Sequence, residues 1–384
     1  MFELDRDIRK LEDNIINHRR WFHQNPEIGF EVFGTRDYIL EKLDGYGYKE
    51  IEILAKTGIK VTIRGKIGKR TLAFRADMDA LAMDEKTDLD FESRNKGFMH
   101  ACGHDGHMAI LLGLAEWLSQ NRDDLADNVV LIFQPDEERE GGALPMIEEG
   151  LLEDPKVDAI FGLHILPDLP EGKTGTRVGP LMAQTSEVNI ELTGKSAHGA
   201  MPHKGVDAIV AAAHFITALQ SIISRGIDPT ESIIISIGKI SGGSTRNILA
   251  EKVTMECTIR TFSDEVYNKV RIKILDLLEG VKKTYGVGAS YQEGIYYPPV
   301  FNDKEWTGKV VDILAPEQYI EAHPLMIAED FSNYQKVVPG VFLFLGSGNE
   351  EKGLTHPLHS NLFDFDERIL LHGVQLYKNI ITRI

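Results

Sequence analysis

Residues 129–135 read Val-Val-Leu-Ile-Phe-Gln-Pro. Five consecutive large apolar side chains before a proline stop describe a strand with no wet face, because a half-exposed strand would alternate polar and apolar residues. Such a strand must be covered on both sides. Residues 159–164 (Ala-Ile-Phe-Gly-Leu-His) form a second run of this kind, and residues 60–65 and 71–78 also read as strands. The segments around them carry helical spacing. Residues 7–23 place Ile8, Leu11, Ile15, Ile16 and Phe22 near every third or fourth position, residues 35–43 stop before Gly45 and Gly47, and residues 105–119 and 142–149 follow. Strands alternating with helices specify an α/β class with a mostly parallel sheet between helical layers.

Near Gln184 the texture changes. Residues 186–193 (Ser-Glu-Val-Asn-Ile-Glu-Leu-Thr) alternate, which predicts a sheet with one wet face. A helix over 207–225, strands over 233–240 and 253–261, a helix over 264–285 and a strand near 288–293 complete a strand–helix–strand–strand–helix–strand order, the ferredoxin-like arrangement. After Tyr297-Pro298-Pro299 the α/β texture returns, with helices over 306–314 and 366–384 and an apolar strand over 341–345. The expectation is a discontinuous α/β domain, residues 1–183 and 296–384, with an α+β domain inserted at 184–295.

The length of 384 residues agrees with two domains. Forty-two basic against 59 acidic residues give a formal charge of −17, which argues against a nucleic-acid backbone or an anionic membrane as the main partner. No apolar run is read as reaching the ~18 residues of a spanning helix. The opening Met1-Phe2-Glu3-Leu4-Asp5-Arg6 has no leader-like apolar core. Two cysteines, Cys102 and Cys257, make no disulfide framework, and the expected location is cytoplasmic.

Residues 99–107 read Met-His-Ala-Cys-Gly-His-Asp-Gly-His, directly before and into the apolar helix. Three histidines, a cysteine and an aspartate at the edge of a core are costly unless they are paired or bind a cation, and thiolate with imidazole suits zinc and its neighbours. A simple helix start would explain Asp105 as a cap and His107 as a first-turn residue, but not Cys102 and His104. Gln134-Pro135-Asp136-Glu137-Glu138 follows the most apolar strand, Asp77-Met78-Asp79 ends another, and His164 ends a third. Carboxyl ends of parallel strands face the ligand crevice, so these groups are expected to converge. Two adjacent glutamates there divide naturally into a cation ligand and a base for water. Thr355-His356-Pro357-Leu358-His359-Ser360 adds two imidazoles from the returning half.

At this point the motifs resemble a known family. Arg75-Ala76-Asp77-Met78-Asp79-Ala80-Leu81, His100-Ala101-Cys102-Gly103-His104-Asp105-Gly106-His107, Phe133-Gln134-Pro135-Asp136-Glu137-Glu138, Gly162-Leu163-His164 and Leu358-His359 look like the ordered signatures of the M20 metallopeptidases, subfamily D. Aminoacylases, hippurate hydrolases and auxin-conjugate hydrolases are its members. The resemblance spans essentially the whole chain. It implies a zinc-peptidase-like catalytic domain with a lid and dimerisation insert, and two divalent metal ions (Zn or Mn, with Co or Ni as alternatives) on Cys102, His104, Glu138, His164 and His359. It further implies Glu137 as general base and Asp79 as the supporting aspartate. Gly194-Lys195-Ser196-Ala197-His198-Gly199-Ala200 is similar to the lid motif whose histidine, here His198, stabilises the oxyanion. Asn247 and Arg260 match substrate-contacting positions; without the family, His198 would read as a turn histidine and Arg260 as a strand-surface charge.

The implied activity is hydrolysis of N-acyl amino acids. Alternatives are N-acetyldiaminopimelate deacetylation, to which Thr185-Ser186-Glu187 and residues 346–353 are also similar, dipeptide cleavage, or a non-catalytic binder on the same fold. A homodimer through the lid edge strand is implied as well. Two departures stand out: Asp136 where the family commonly has alanine, adding a like charge beside Glu137, and Ala82 in place of a common proline.

Overall fold

The computed structural model describes residues 4–384. Residues 1–3, on which part of the reading of the opening segment rests, lie outside the described residues. The chain forms two compact units. The first comprises Met1–Leu181, Phe301–His323 and Asp330–Ile384, and the second Met182–Val300 with Pro324–Glu329. The expected insert edges, 184 and 295, differ from these bounds by a few residues, and the short return Pro324–Glu329 was not part of that expectation.

In chain order the first unit begins with helices α1 (Arg6–Arg9), α2 (Glu12–Gln24) and α3 (Phe33–Gly45), then strands β1 (Ile51–Leu54), β2 (Gly58–Ile63) and β3 (Thr71–Asp77). The single helix expected over 7–23 is two, because the Leu11 N–H bonds back to the Ile8 carbonyl and closes a tight turn between them. Helix α4 (His104–Gln120), β4 (Asn128–Gln134), α5 (Ala143–Glu148), β5 (Ala159–Pro170), β6 (Thr174–Thr176) and β7 (Gly179–Met182) follow. The second unit contributes β8 (Gln184–Thr193), α6 (Ala208–Ser221), β9 (Ile233–Gly242), β10 (Lys252–Thr261), α7 (Asp264–Tyr285) and β11 (Gly288–Tyr297). The chain then continues through β12 (Val300–Asn302), α8 (Lys304–Asp312), β13 (Tyr319–Glu321), α9 (Ser332–Gln335), β14 (Gly340–Gly348) and α10 (Ile369–Arg383).

The first unit is built on an eight-stranded sheet in the order β1-β2-β4-β3-β5-β14-β6-β13. Its centre, β4-β3-β5-β14, is parallel, whereas β1–β2, β2–β4 and β14–β6 are antiparallel. All seven residues of β3 and of β4 are buried, as an apolar strand covered on both faces requires. Helix α4 lies close against β5. A Cβ on Gly106 would come within 2.5 Å of Ile165 Cδ1 and 2.8 Å of the Phe365 ring, so a larger residue there would force these side chains to shift.

In the second unit the order β11-β8-β10-β9 is antiparallel throughout, and with two intervening helices this is the ferredoxin-like topology. Val188, Ile190, Leu192, Met255, Cys257 and Ile259 share a core with Ala211, Phe215, Val270 and Ile274 of the helices. The opposite face carries Glu187, Asn189 and Glu256, all exposed. Residues Ala208–Gly226 form a helical stretch long and apolar enough, by length and composition, to cross a membrane. Ala208, Ala211, Ala212, Phe215 and Leu219 nevertheless pack into this core, so the apolar character serves an interior helix face.

Candidate metal centre

The site grows from the carboxyl ends of β3 and β4, the start of α4, the middle of β5 and a loop beyond β14. Gly103 precedes α4 with φ +87°, a left-handed conformation that glycine adopts without strain. This kink separates Cys102 in the loop from His104 in the first turn. Asp79, fully buried just past β3, accepts the Glu137 N–H at 3.0 Å with Oδ1 and the Glu138 N–H at 3.1 Å with Oδ2. The His104 Nδ1–H donates to the Asp79 carbonyl at 2.8 Å, which leaves Nε2 facing the cluster. His164 was expected to end its strand. Instead β5 runs on to Pro170, and His164 lies past Gly162, the last residue laddered to β3. His359 has φ +62° and is tied by its N–H to the Ala101 carbonyl at 2.9 Å.

The structure brings five of the expected side chains together. Cys102 Sγ lies 3.4 Å from His164 Nε2, Glu138 Oε1 lies 3.3 Å from His359 Nε2, and the same oxygen lies 3.8 Å from His104 Nε2. Three overlapping groups of donor atoms result: Cys102–His104–His164, Cys102–Glu138–His359 and His104–Glu137–Glu138. Cys102 belongs to two of them and Glu138 to two. The His359 side chain is 54 % exposed and Glu138 10 %, so His359 stands on the solvent side of the cluster.

The electrostatics suit a cation. Burial, with Glu138 and Glu137 nearby, pushes the Cys102 thiol well above its ordinary range. Burial and the neighbouring His107 ring lower His164 to about 3, keeping it the neutral imidazole that a metal needs. Burial opposes charge on His104, but Asp77, Asp79 and Glu138 outweigh it and raise the ring to about 10. A proton on His104 thus meets the demand for positive charge. His104 Nε2 has no hydrogen-bond partner although it is buried, which marks it as a donor aimed at something other than protein. Soft sulfur, two or more imidazoles and a carboxylate at these separations fit divalent zinc-like ions, and Cys102 and Glu138 are placed to serve two positions.

Asp136, the departure from the family pattern, takes φ +57°. Its Oδ2 accepts the Glu140 N–H at 3.1 Å, and its Oδ1 lies against Gly29. Burial and the Asp79 carboxylate raise it to about 7. The loop at Ala82 is held by Leu81 and Met99, which exchange both backbone hydrogen bonds at 3.0 Å.

The remaining expected residues lie in the second unit. His198 and Asn247 are exposed and belong to loops joined to each other: His198 bridges Ile248, and the Gly199 N–H donates to the Asn247 carbonyl at 2.7 Å. Arg260, half-buried on β10, donates to Thr258 Oγ1 at 2.5 Å, and burial lowers its pKa despite Glu187.

Sequence reasoning missed a buried ionic network behind the site. Arg19 and His23 of α2 both reach Asp105 Oδ2, at 3.2 and 2.8 Å, and His23 Nε2 reaches Glu85 at 2.9 Å. Burial alone would lower His23, but Asp105 and Glu85 raise it to about 9. The available signal was a cation on the apolar face of a helix: Arg19 lies four residues after Ile15 and three before Phe22.

The fold and the donor set define a metal-dependent amide hydrolase. The model of peptidase family M20/M25/M40 matches residues 73–383, and the chain belongs to this family. Among its relatives, the N-acetyl-L-cysteine deacetylase of Bacillus subtilis (strain 168) is 40 % identical over 367 residues, covering 95 % of this chain and 86 % of that protein. The N-acetyldiaminopimelate deacetylase of Bacillus cytotoxicus is 41 % identical over 342 residues, covering 88 % and 90 %. A Bacillus subtilis dinuclear metal binding peptidase of the M20 family superimposes with a TM-score of 0.85 at 33 % identity, covering 97 % of this chain and 98 % of that one.

Proposed function

We propose that this chain hydrolyses the amide bond of N-acyl, above all N-acetyl, amino acids with two divalent cations held by Cys102, His104, Glu138, His164 and His359. The observation that carries the reading is the convergence of these unlike donors around His104 Nε2, which is buried without a hydrogen bond, beside a glutamate whose peptide is pinned by Asp79. The cations, Zn or Mn with Co or Ni as alternatives, would supply Lewis acidity and make water acidic enough to be deprotonated near neutral pH.

The chain's own residues do the rest. Glu137 takes a proton from the attacking water and returns it to the leaving nitrogen. Asp79 fixes Glu137 and Glu138 through their backbone N–H groups and fixes the tautomer of His104 through its own carbonyl. His198 donates to the developing oxyanion. Arg260 and Asn247 hold the substrate carboxylate, a role for which a guanidinium and a carboxamide are suited.

N-acetyldiaminopimelate is a specific alternative substrate, favoured by the relative of that activity at 41 % identity; a dipeptidase is a third reading. A non-catalytic binder is disfavoured because Glu137 is present beside the donor set. The deciding experiment chelates the purified protein, restores Mn, Zn, Co or Ni in turn, and follows amine release from N-acetyl amino acids, N-acetyldiaminopimelate, hippurate and dipeptides. Activity unaffected by chelation sinks the metal reading, and preference for dipeptides sinks the N-acyl one.

The reading includes a homodimer through the second unit. Strand β9 is a sheet edge, and exposed Ile240 lines an apolar groove of about 310 Å³ with Ile209 and Ile216 of α6. A second copy pairing β9 with β9 covers that groove on both chains. Two buried free cysteines suit the cytoplasm as its location.

A further inference from the structure

Behind His164 stands a second histidine that binds nothing from solvent. His107 follows His104 by one helical turn and is 2 % exposed. Its Nε2 accepts the Ile165 N–H at 2.9 Å, so its proton resides on Nδ1, which donates to Asp77 Oδ1 at 2.6 Å. Asp77 is fully buried and is itself held by the Arg75 guanidinium at 2.6 Å, which also reaches Asp330 at 2.9 Å. The Ile165 N–H needs this acceptor. The β3–β5 ladder ends at Arg75 and Gly162, so beyond that point β5 has no β3 residue opposite it. His107 stands in for the missing strand. The same residue's carbonyl accepts the His164 Nδ1–H at 2.8 Å, which leaves His164 Nε2 directed at Cys102 Sγ.

Asp77, His104 and His107 also form a group of potential cation ligands. Their bonding excludes that use. Both His107 nitrogens are committed to hydrogen bonds, and Asp77 is already neutralised by a guanidinium at contact distance. We propose that His107, anchored by Asp77 and Arg75, is a positioning residue. By gripping the Ile165 peptide it fixes the tautomer and aim of His164, so that Nε2 is presented to the cation that His164 shares with Cys102. The role rests on the metal reading above, but the tautomer it dictates exists without metal.

Two measurements test this. The first is ¹⁵N NMR of the histidine rings in the metal-free protein, where His107 and His164 should both carry their proton on Nδ1. An Nε2-protonated His164, or an Nε2-protonated His107, overturns the proposal without any substitution. The second is Co²⁺ titration of the metal-free protein. His107→Gln places an amide oxygen near the position of Nε2 and keeps the grip on Ile165. His107→Asn ends near Nδ1 and keeps only the Asp77 contact. His107→Gln should bind both ions with affinity close to the parent, whereas His107→Asn should lose about 10- to 100-fold at one of the two sites, the usual scale for an outer-shell partner. Equal affinity in both variants, whether native or impaired, overturns the proposal, because simple packing would not separate them. Failure of the parent to take up two Co²⁺ ions would instead refute the metal reading, and the NMR result would still decide the brace.

Discussion

Asp79 Oδ1 accepts the backbone N–H of Glu137 at 3.0 Å, so the proposed base is oriented by a buried carboxylate 58 residues earlier in the chain. The other oxygen of Asp79 does the same for Glu138. One side chain therefore sets the backbone of both glutamates, and their roles separate cleanly under mutation.

Glu137→Gln preserves shape and the Asp79 contact, which is made by the backbone, but removes the proton acceptor. Turnover should fall by at least the 10²–10⁴-fold typical of a lost general base, with metal content by elemental analysis unchanged. Substantial activity in a fully loaded Glu137→Gln protein would remove Glu137 from the mechanism.

His198→Ala should lower the rate by the loss of one oxyanion donor, about 2.7–4 kcal/mol in the barrier, without affecting metal uptake. The measurement is kcat alongside metal stoichiometry. Loss of metal in this variant would mean that His198 acts as a ligand rather than a donor.

Gly103→Ala forces a Cβ into the left-handed region at φ +87°, with Ile165 Cβ 3.4 Å away. The expected cost is about 1–2 kcal/mol of unfolding free energy, read by denaturant titration. Metal affinity should weaken at the same time, because Cys102 and His104 flank the kink. An alanine variant with native stability would show that the turn has a strain-free alternative.

Stability should depend on pH through His23. Its folded-state pKa, about 9, lies above the ordinary 6.5, so its contribution is complete below pH ~6.5 and is lost as pH rises through about 9. The shift corresponds to roughly 3 kcal/mol at most. The difference in stability between the parent and His23→Gln should shrink across that window, as followed by thermal unfolding from pH 6 to 10. A constant difference would mean that His23 is not protonated in the folded protein.

The legible part of the site was the part written in short segments. Cys102 and His104 sit within one motif, and Glu137 and Glu138 follow directly on the most apolar strand, so their proximity to a strand end could be read from local pattern. The role of His107 could not be read from its motif, because its partners, Asp77 and the Ile165 peptide, are 30 and 58 residues away. Arg19 was hidden likewise, since pairing with Asp105 is a tertiary fact that leaves only a misplaced charge in the sequence. Helix α6 was read as a helix, and it is one. The longer stretch Ala208–Gly226 passes for a membrane span by length and composition, and packing of its α6 part against Val188, Ile190 and Met255 shows the apolar residues serving an interior face. The antiparallel flanks of the main sheet were invisible because strand direction is set by connections, not by residue type.

The position of β14 has a consequence for biosynthesis. Residues 340–348 lie between β5 and β6, so the interior of the main sheet waits for a strand translated some 170 residues after its neighbours. Until then a nascent chain exposes an unpaired β5 edge whose first five residues are apolar or glycine, and lacks His359. Synthesis must run past residue 359 before the donor cluster closes, and a product terminated earlier is left with an adhesive edge and an incomplete cluster.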